Sequence, residues 1–165
     1  MPRPAGAAAP PQPNEPDLLD MTDVTRMIEL KNQIEDLDQI YAGLAGALEE
    51  AGLPDSLRKT LFLVCEELFS NVVRYGYKDE EEDRIDLVVA CDADAITLTF
   101  RDHAAPFDIS ISPDAPSEDR SIDHMEVGGL GLYLVHYFAA SVRNWQDSGT
   151  NVTEIVVPVE PGAGP

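Results

Sequence analysis

Glu67 and Asn71 stand four residues apart in the run Glu66-Glu67-Leu68-Phe69-Ser70-Asn71. On a helix that spacing stacks them on one face, while Glu66 points well away from Asn71. An amide oxygen suits a hard cation, and a carboxylate one turn away can accept a proton. The pair therefore has the makings of a magnesium–nucleotide site; the same spacing also fits a solvated margin beside the apolar stripe through Val64 and Leu68. Asp102 ends the alternating set Ile96, Leu98, Phe100, Asp102, which puts its carboxylate on the side of three large apolar residues. A lone acid there is costly unless a donor meets it. An adenine amino group is such a donor; a strand that simply ends in solvent is the alternative. Third, Gly128-Gly129-Leu130-Gly131-Leu132 opens an apolar helix directly after a long loop. Glycine permits close backbone approach, and bare N–H groups at a helix start hold an anion without a lysine. A hinge before a buried helix would look the same. No GxxxxGK run is present, so this is not a P-loop.

The elements that must position these residues alternate in period. Val24–Leu30 reads as a short strand. Gln33–Ala51 carries Ile34, Leu37, Ile40, Tyr41, Leu44 and Leu48 at helical spacing, with Gly52 as its C-cap. A second helix runs from about Pro54 to Tyr75, with Leu57, Leu61, Val64, Leu68 and Val72 as its stripe. The acids Asp79–Asp83 predict a solvated turn. Arg84–Cys91 and Ala95–Asp102 form a hairpin around Asp92-Ala93-Asp94. His103–Val127, with Pro106, Pro113 and Pro116, predicts a mobile lid. A third helix spans Gly129 to about Ala140, and strands Ser141–Gln146 and Asn151–Val157 end the pattern. Three helices cannot cover both faces of such a sheet. The order predicts an α/β two-layer sandwich, a mixed sheet with helices on one face. Trp145 is expected in the core, and Cys65 and Cys91 as buried free thiols.

The chain has 165 residues, 44% of them hydrophobic, enough for one domain with a real core. Its formal net charge of −20 repels phosphate backbones and anionic membranes, so neither nucleic acid nor a membrane is an expected partner. No apolar run approaches the roughly 20 residues of a membrane span. The N-terminus lacks the apolar core of a signal peptide, and a reducing cytoplasm suits the thiols. Residues 1–20 hold six of the thirteen prolines and predict a disordered tail; 21–160 form the domain, and 161–165 a disordered end.

Taken in order, these motifs resemble those of the Bergerat-fold, histidine-kinase-like (GHKL) ATPases. Glu67-x-x-x-Asn71 is similar to the N-box of that superfamily, Asp102-His103-Ala104-Ala105-Pro106-Phe107-Asp108 to its first glycine box, and Gly128–Leu132 to its second. Small size, the GGLGL helix start and the Pro-Phe-Asp ending look most like the anti-sigma-factor serine/threonine kinases of the RsbW type. The resemblance covers about Asp23 to Val159.

It implies ATP and Mg2+ as ligands. Asn71 would bind the metal and the phosphates. Glu67 would be the general base, Asp102 would take the adenine amino group, and Gly129, Leu130 and Gly131 would offer backbone N–H groups to the phosphates. Thr150 would support the adenine site, with Thr153 as the competing choice. The implied partners are a sigma factor and a STAS-domain anti-anti-sigma protein, bound by a homodimer. The implied activity is phosphorylation of that antagonist; a nucleotide-binding partner switch with weak or no kinase activity is the alternative. One departure bears on the choice. Ala104 stands where the family's first box carries glycine. If the position needs positive φ, alanine costs roughly 1–2 kcal/mol and weakens nucleotide binding about tenfold or more. The lid is acidic, and Arg120 is the one obvious cation near it.

Removing Met1–Asp20 should leave the melting temperature and any nucleotide affinity unchanged. A drop of several degrees on truncation would show that the tail packs on the domain.

Overall fold

Strand alternation and helical stripes resolve into the order β1 (Val24–Lys31), α1 (Leu37–Ala51), α2 (Leu57–Asn71), β2 (Arg84–Cys91), β3 (Ala95–Asp102), α3 (Gly129–Phe138), β4 (Ser141–Asp147) and β5 (Thr150–Pro158). The structure, a computed structural model, describes residues 23–78, 81–109 and 129–160. The expected tail, the disordered end and most of the expected lid lie outside the described residues.

The five strands form one sheet in the order β1-β2-β3-β5-β4. Residues opposite one another share a face, so the register defines two faces. Ile28, Leu87, Phe100 and Thr153 share the covered one, as do Ile85, Val89, Leu98, Ile155 and Val157. The helices pack there: a Cβ on Gly43 of α1 would strike the Ile28 side chain, and the core joins Ile40, Leu44 and Leu48 of α1 to Leu61, Val64 and Phe69 of α2 and Val135 of α3. Burying each of these side chains contributes about 1.5–3 kcal/mol. Glycine at 43 and 46 lets Ile28 and Arg26 reach across α1, and Arg26 pairs with Glu50 at 3.1 Å.

The two-layer α/β sandwich is as expected, but the sheet is not mixed. All four strand pairings are antiparallel. β3 and β4 do run in the same direction, since each opposes β5. The β4–β5 hairpin turns β5 into the gap between them, so no parallel pair shares hydrogen bonds.

Local corrections follow from packing. α1 begins at Leu37, after a 3-10 turn at Ile34–Asp36. Its end is as expected: Gly52 has φ 70°, its N–H reaches the Glu49 carbonyl, and the Leu53 N–H reaches that of Leu48. These are the two bonds of a Schellman cap. α2 stops at Asn71 and widens into a π turn over Val72–Gly76. Trp145 is not core. Strand alternation turns it to the uncovered sheet face, where it is 44% exposed, opposite buried Val152 and with the Arg143 guanidinium 5.9 Å from its ring centre. Asp83 is no free turn acid either: it is half-buried and accepts from the Tyr77 hydroxyl at 3.0 Å. Cys65 and Cys91 are buried free thiols, and burial pushes both up in pKa.

The β4–β5 turn has positive φ at both central residues, Ser148 (52°) and Gly149 (87°), as a type I′ hairpin requires. Nothing lies within 4 Å of a Cβ placed on Gly149, so any cost of adding one is purely backbone. Gly149→Ala should lower stability by about 1–2 kcal/mol, and Ser148→Asn should raise it; urea unfolding measures both.

Candidate functional site

The buried stripe of α2 runs through Leu61, Val64, Cys65, Leu68 and Phe69. Glu67 and Asn71 flank it and are half-buried, while Glu66 is exposed. The Asn71 amide donates from Nδ2 to Glu67 Oε1 at 2.9 Å. That bond engages the amide nitrogen and leaves Asn71 Oδ1 as the group's acceptor, the atom a hard cation takes. Among the described residues, no group of three or more His, Cys, Asp or Glu side chains could hold a metal ion. A cation here would rest on Asn71 and on oxygen atoms of a ligand, which suits magnesium.

α3 supplies the opposite wall. A Cβ on Gly131 would collide with the carboxylate carbon and both oxygens of Glu67. The acid therefore sits against the first turn of α3, where the helix dipole favours negative charge. Gly129 begins that turn and Leu130 is exposed beside it. Further along α3, His136 Nε2 donates to the Ile109 carbonyl at 2.8 Å, tying the chain that follows β3 to this helix. Alternation on β3 buries Asp102, which is 3% exposed. Its Oδ1 accepts from the Ala104 N–H at 2.9 Å and from Asn151 Nδ2 at 2.8 Å.

The Ala104 question is answered by the backbone. Ser148 is the one non-glycine residue with positive φ among those described, so Ala104 carries no left-handed strain. Room for its methyl comes from Gly76, where a Cβ would stand 2.6 Å from the Ala104 Cβ. The Ala105 N–H donates to the Gly76 carbonyl at 2.8 Å, so the chain after Asp102 is fastened to the end of the π turn. Beside it, Asp83 Oδ2 accepts from Tyr77 and lies 3.3 Å from His103 Nδ1. Burial, and then the Asp83 bond, raise the Tyr77 hydroxyl pKa.

Glu67, Asn71 and Gly131 are thus brought together, and Asp102 is joined to them through the π turn. Thr150 goes elsewhere: its hydroxyl is 3.4 Å from His103 Nε2. Thr153 lies on the Asp102 face, opposite Phe100 and Asn144. The residue that touches Asp102 is Asn151, which the motifs do not single out; its signal is shared parity with Ile155 and Val157 on β5. Gly128 and Arg120 lie outside the described residues.

Gly131→Ala should destabilise the fold by about 1–3 kcal/mol through overpacking on Glu67. In a Glu67→Ala background the same change should cost little or even stabilise, since alanine is the better helix former. A double-mutant cycle by urea unfolding measures that coupling; additive effects would show that the two residues do not touch.

Comparisons with known proteins point the same way. Residues 30–156 match the histidine kinase-like ATPase domain family. The chain is 27% identical over 114 residues to the serine-protein kinase RsbW of Listeria monocytogenes, covering 66% of this chain and 71% of that protein. It is 26% identical over 132 residues to the Bacillus subtilis protein of the same name, covering 76% and 81%. A crystal structure of the RsbU and RsbW domains of a Mycobacterium tuberculosis protein superposes with a TM-score of 0.51 at 16% identity, over 81% of this chain and 32% of that one, a likeness of fold alone. Since one family accounts for the greater part of its length, residues 30–156, the chain belongs to the histidine kinase-like ATPase domains.

Proposed function

We propose that this protein is a magnesium- and ATP-dependent serine/threonine kinase that phosphorylates a STAS-domain antagonist and, as a homodimer, sequesters a sigma factor. One observation carries the reading: a carboxylate and an amide held together by the 2.9 Å bond from Asn71 Nδ2 to Glu67 Oε1, against a glycine at the start of α3. Family membership supports ATP as the ligand, and the relatives named as serine-protein kinases support a protein hydroxyl as the acceptor.

The parts divide as follows. Asn71 Oδ1 binds the magnesium ion, which neutralises phosphate charge; with a net charge of −20 on the chain, that neutralisation matters more than usual. Gly129, Leu130 and Gly131 present backbone N–H groups to the phosphates. Asp102 accepts from the adenine amino group. Glu67 orients the incoming hydroxyl and accepts its proton as the hydroxyl oxygen bonds to the γ-phosphorus and ADP leaves. Ala104 is the residue that favours the same fold acting as a partner-holding switch without transfer; its backbone carries no positive-φ strain, so any effect there would come from the methyl group itself.

Two substitutions test the assignment. Glu67→Gln keeps the shape and removes the base, so ATP and partner binding should persist while phosphate transfer slows at least about 10²-fold. Asp102→Asn can keep an oxygen toward Ala104 and Asn151, which spares the fold, but turns an NH2 group to the ligand. It should weaken ATP binding by about 1–3 kcal/mol with little change in melting temperature. Labelled ATP with magnesium and a cognate STAS-domain protein reads transfer, and calorimetry reads binding. A parent that binds ATP yet transfers nothing to any cognate partner leaves the switch reading; a folded parent that takes no nucleotide at millimolar concentration removes both.

A further inference from the structure

We infer that the uncovered face of the sheet is the surface through which two copies of this chain pair, with Met27 and Trp145 as its apolar anchors. The inference rests on the homodimer of the proposed function and gives that dimer a face. Register sets Met27, Val88 and Thr99 in one row of this face, and Arg101, Val152 and Trp145 in the next. The core residues of α1, α2 and α3 all pack on the other face. Met27, 55% exposed, stands on one edge strand, and Trp145, 44% exposed, on the other. Between these edges Val88, Ala90, Thr97 and Val156 are half-buried, and all are small or β-branched. Such a strip makes a flat, largely apolar centre that another flat surface can cover.

Charge decides the occupant. The chain carries a net −20, so most of its surface repels a second copy. This face does not. Arg84 pairs with Glu29 and with Asp86, each at 2.6 Å, Arg101 with Asp147 at 3.5 Å, and Arg143 with Glu154. Lys31 shares the face, directly opposite Arg84. Four bases thus stand against four acids, and the strands of this face sum to zero. A cationic partner would be drawn to the acidic remainder of the surface. A neutral face with an apolar centre is where a copy of equal charge can approach. Size agrees. Five strands about 4.8 Å apart, of eight residues at about 3.3 Å each, make a face of about 500 Å2 in projection. Its accessible area is larger, near the ~800 Å2 per partner of a stable interface. A twofold that lays the β1 edge of one copy over the β4 edge of the other sets Met27 of each on the border that carries Trp145 of the other. Both anchors are then covered in one contact.

Trp145 is the sole tryptophan of the chain, so its fluorescence reports on this face alone. A dilution series of the full chain, followed by light scattering and by emission, tests the inference. The parent should pass from dimer to monomer while the emission shifts to the red in step with the mass. Trp145→Glu and Met27→Glu should each weaken the dimer at least about tenfold, as loss of an anchor residue does. Circular dichroism checks that they fold; if Trp145→Glu does not, Met27→Glu decides and keeps the tryptophan as reporter. Mg-ATP binding by these variants, whose substitutions lie on the face away from Glu67 and Asp102, reads the nucleotide proposal separately. A dimer that dissociates with its emission unchanged overturns the inference and leaves the homodimer with another face, and so do folded variants as dimeric as the parent. A parent that is monomeric throughout overturns the inference and the homodimer together. A monomer whose emission shifts when Met1–Asp20 is removed overturns it in favour of the chain's own tail as the occupant.

Discussion

The hairpin that inserts β5 between β3 and β4 is the constraint on which the other placements depend. A chain leaving β3 and entering β4 has to pass over β5, and the apolar side of the sheet is where that passage can be buried. α3 is the result, laid beside α2 with Val135 in the core and Gly131 against Glu67. The same insertion brings Asn151 opposite Asp102. Glu67 and Gly131 on one side of the candidate site, and Asp102 and Asn151 on the other, thus answer to a single piece of topology. They do so although they come from segments as far apart in the chain as α2 and β5.

Some of this was legible from the residues, and physics says which part. Glu67 and Asn71 are related by one helical turn, a local spacing that any helix enforces. Asp102 is related to Phe100 by strand alternation, which is also local. Gly52 ends α1 because its own backbone can turn left-handed. The features that escaped are those decided across the fold. Asn151 meets Asp102 only once a strand register joins two residues 49 apart in sequence. Strand directions depended on where β5 was inserted, so a mixed sheet was the natural but incorrect expectation. Trp145 has the composition of a core residue, yet its parity on an edge strand puts it outside. Gly76 gives no signal by itself, because its reason is a methyl group on another segment.

Little of the site depends on paired charges. The described salt bridges, such as Arg26–Glu50 and Arg101–Asp147, are surface contacts, of a kind worth about 0–1 kcal/mol each. Around Asp102 the work falls to neutral donors: a backbone N–H and a side-chain amide. That choice suits a chain so rich in acids. Neutral donors stabilise a buried carboxylate without adding a cation that neighbouring acids could draw away, and salt barely screens them. Tyr77 serves Asp83 in the same manner, its hydroxyl donating to the carboxylate at 3.0 Å.

The contact between Gly76 and Ala104 has a consequence for how such sequences can drift. The two residues share space for one methyl group, 2.6 Å being too little for two. Either segment can carry it, but not both. A lineage that acquires a side chain at 76 must first surrender the one at 104, and the return path runs through a form with glycine at both. Alanine at 104 is therefore half of a trade between two distant positions, and the glycine at 76 is the other half.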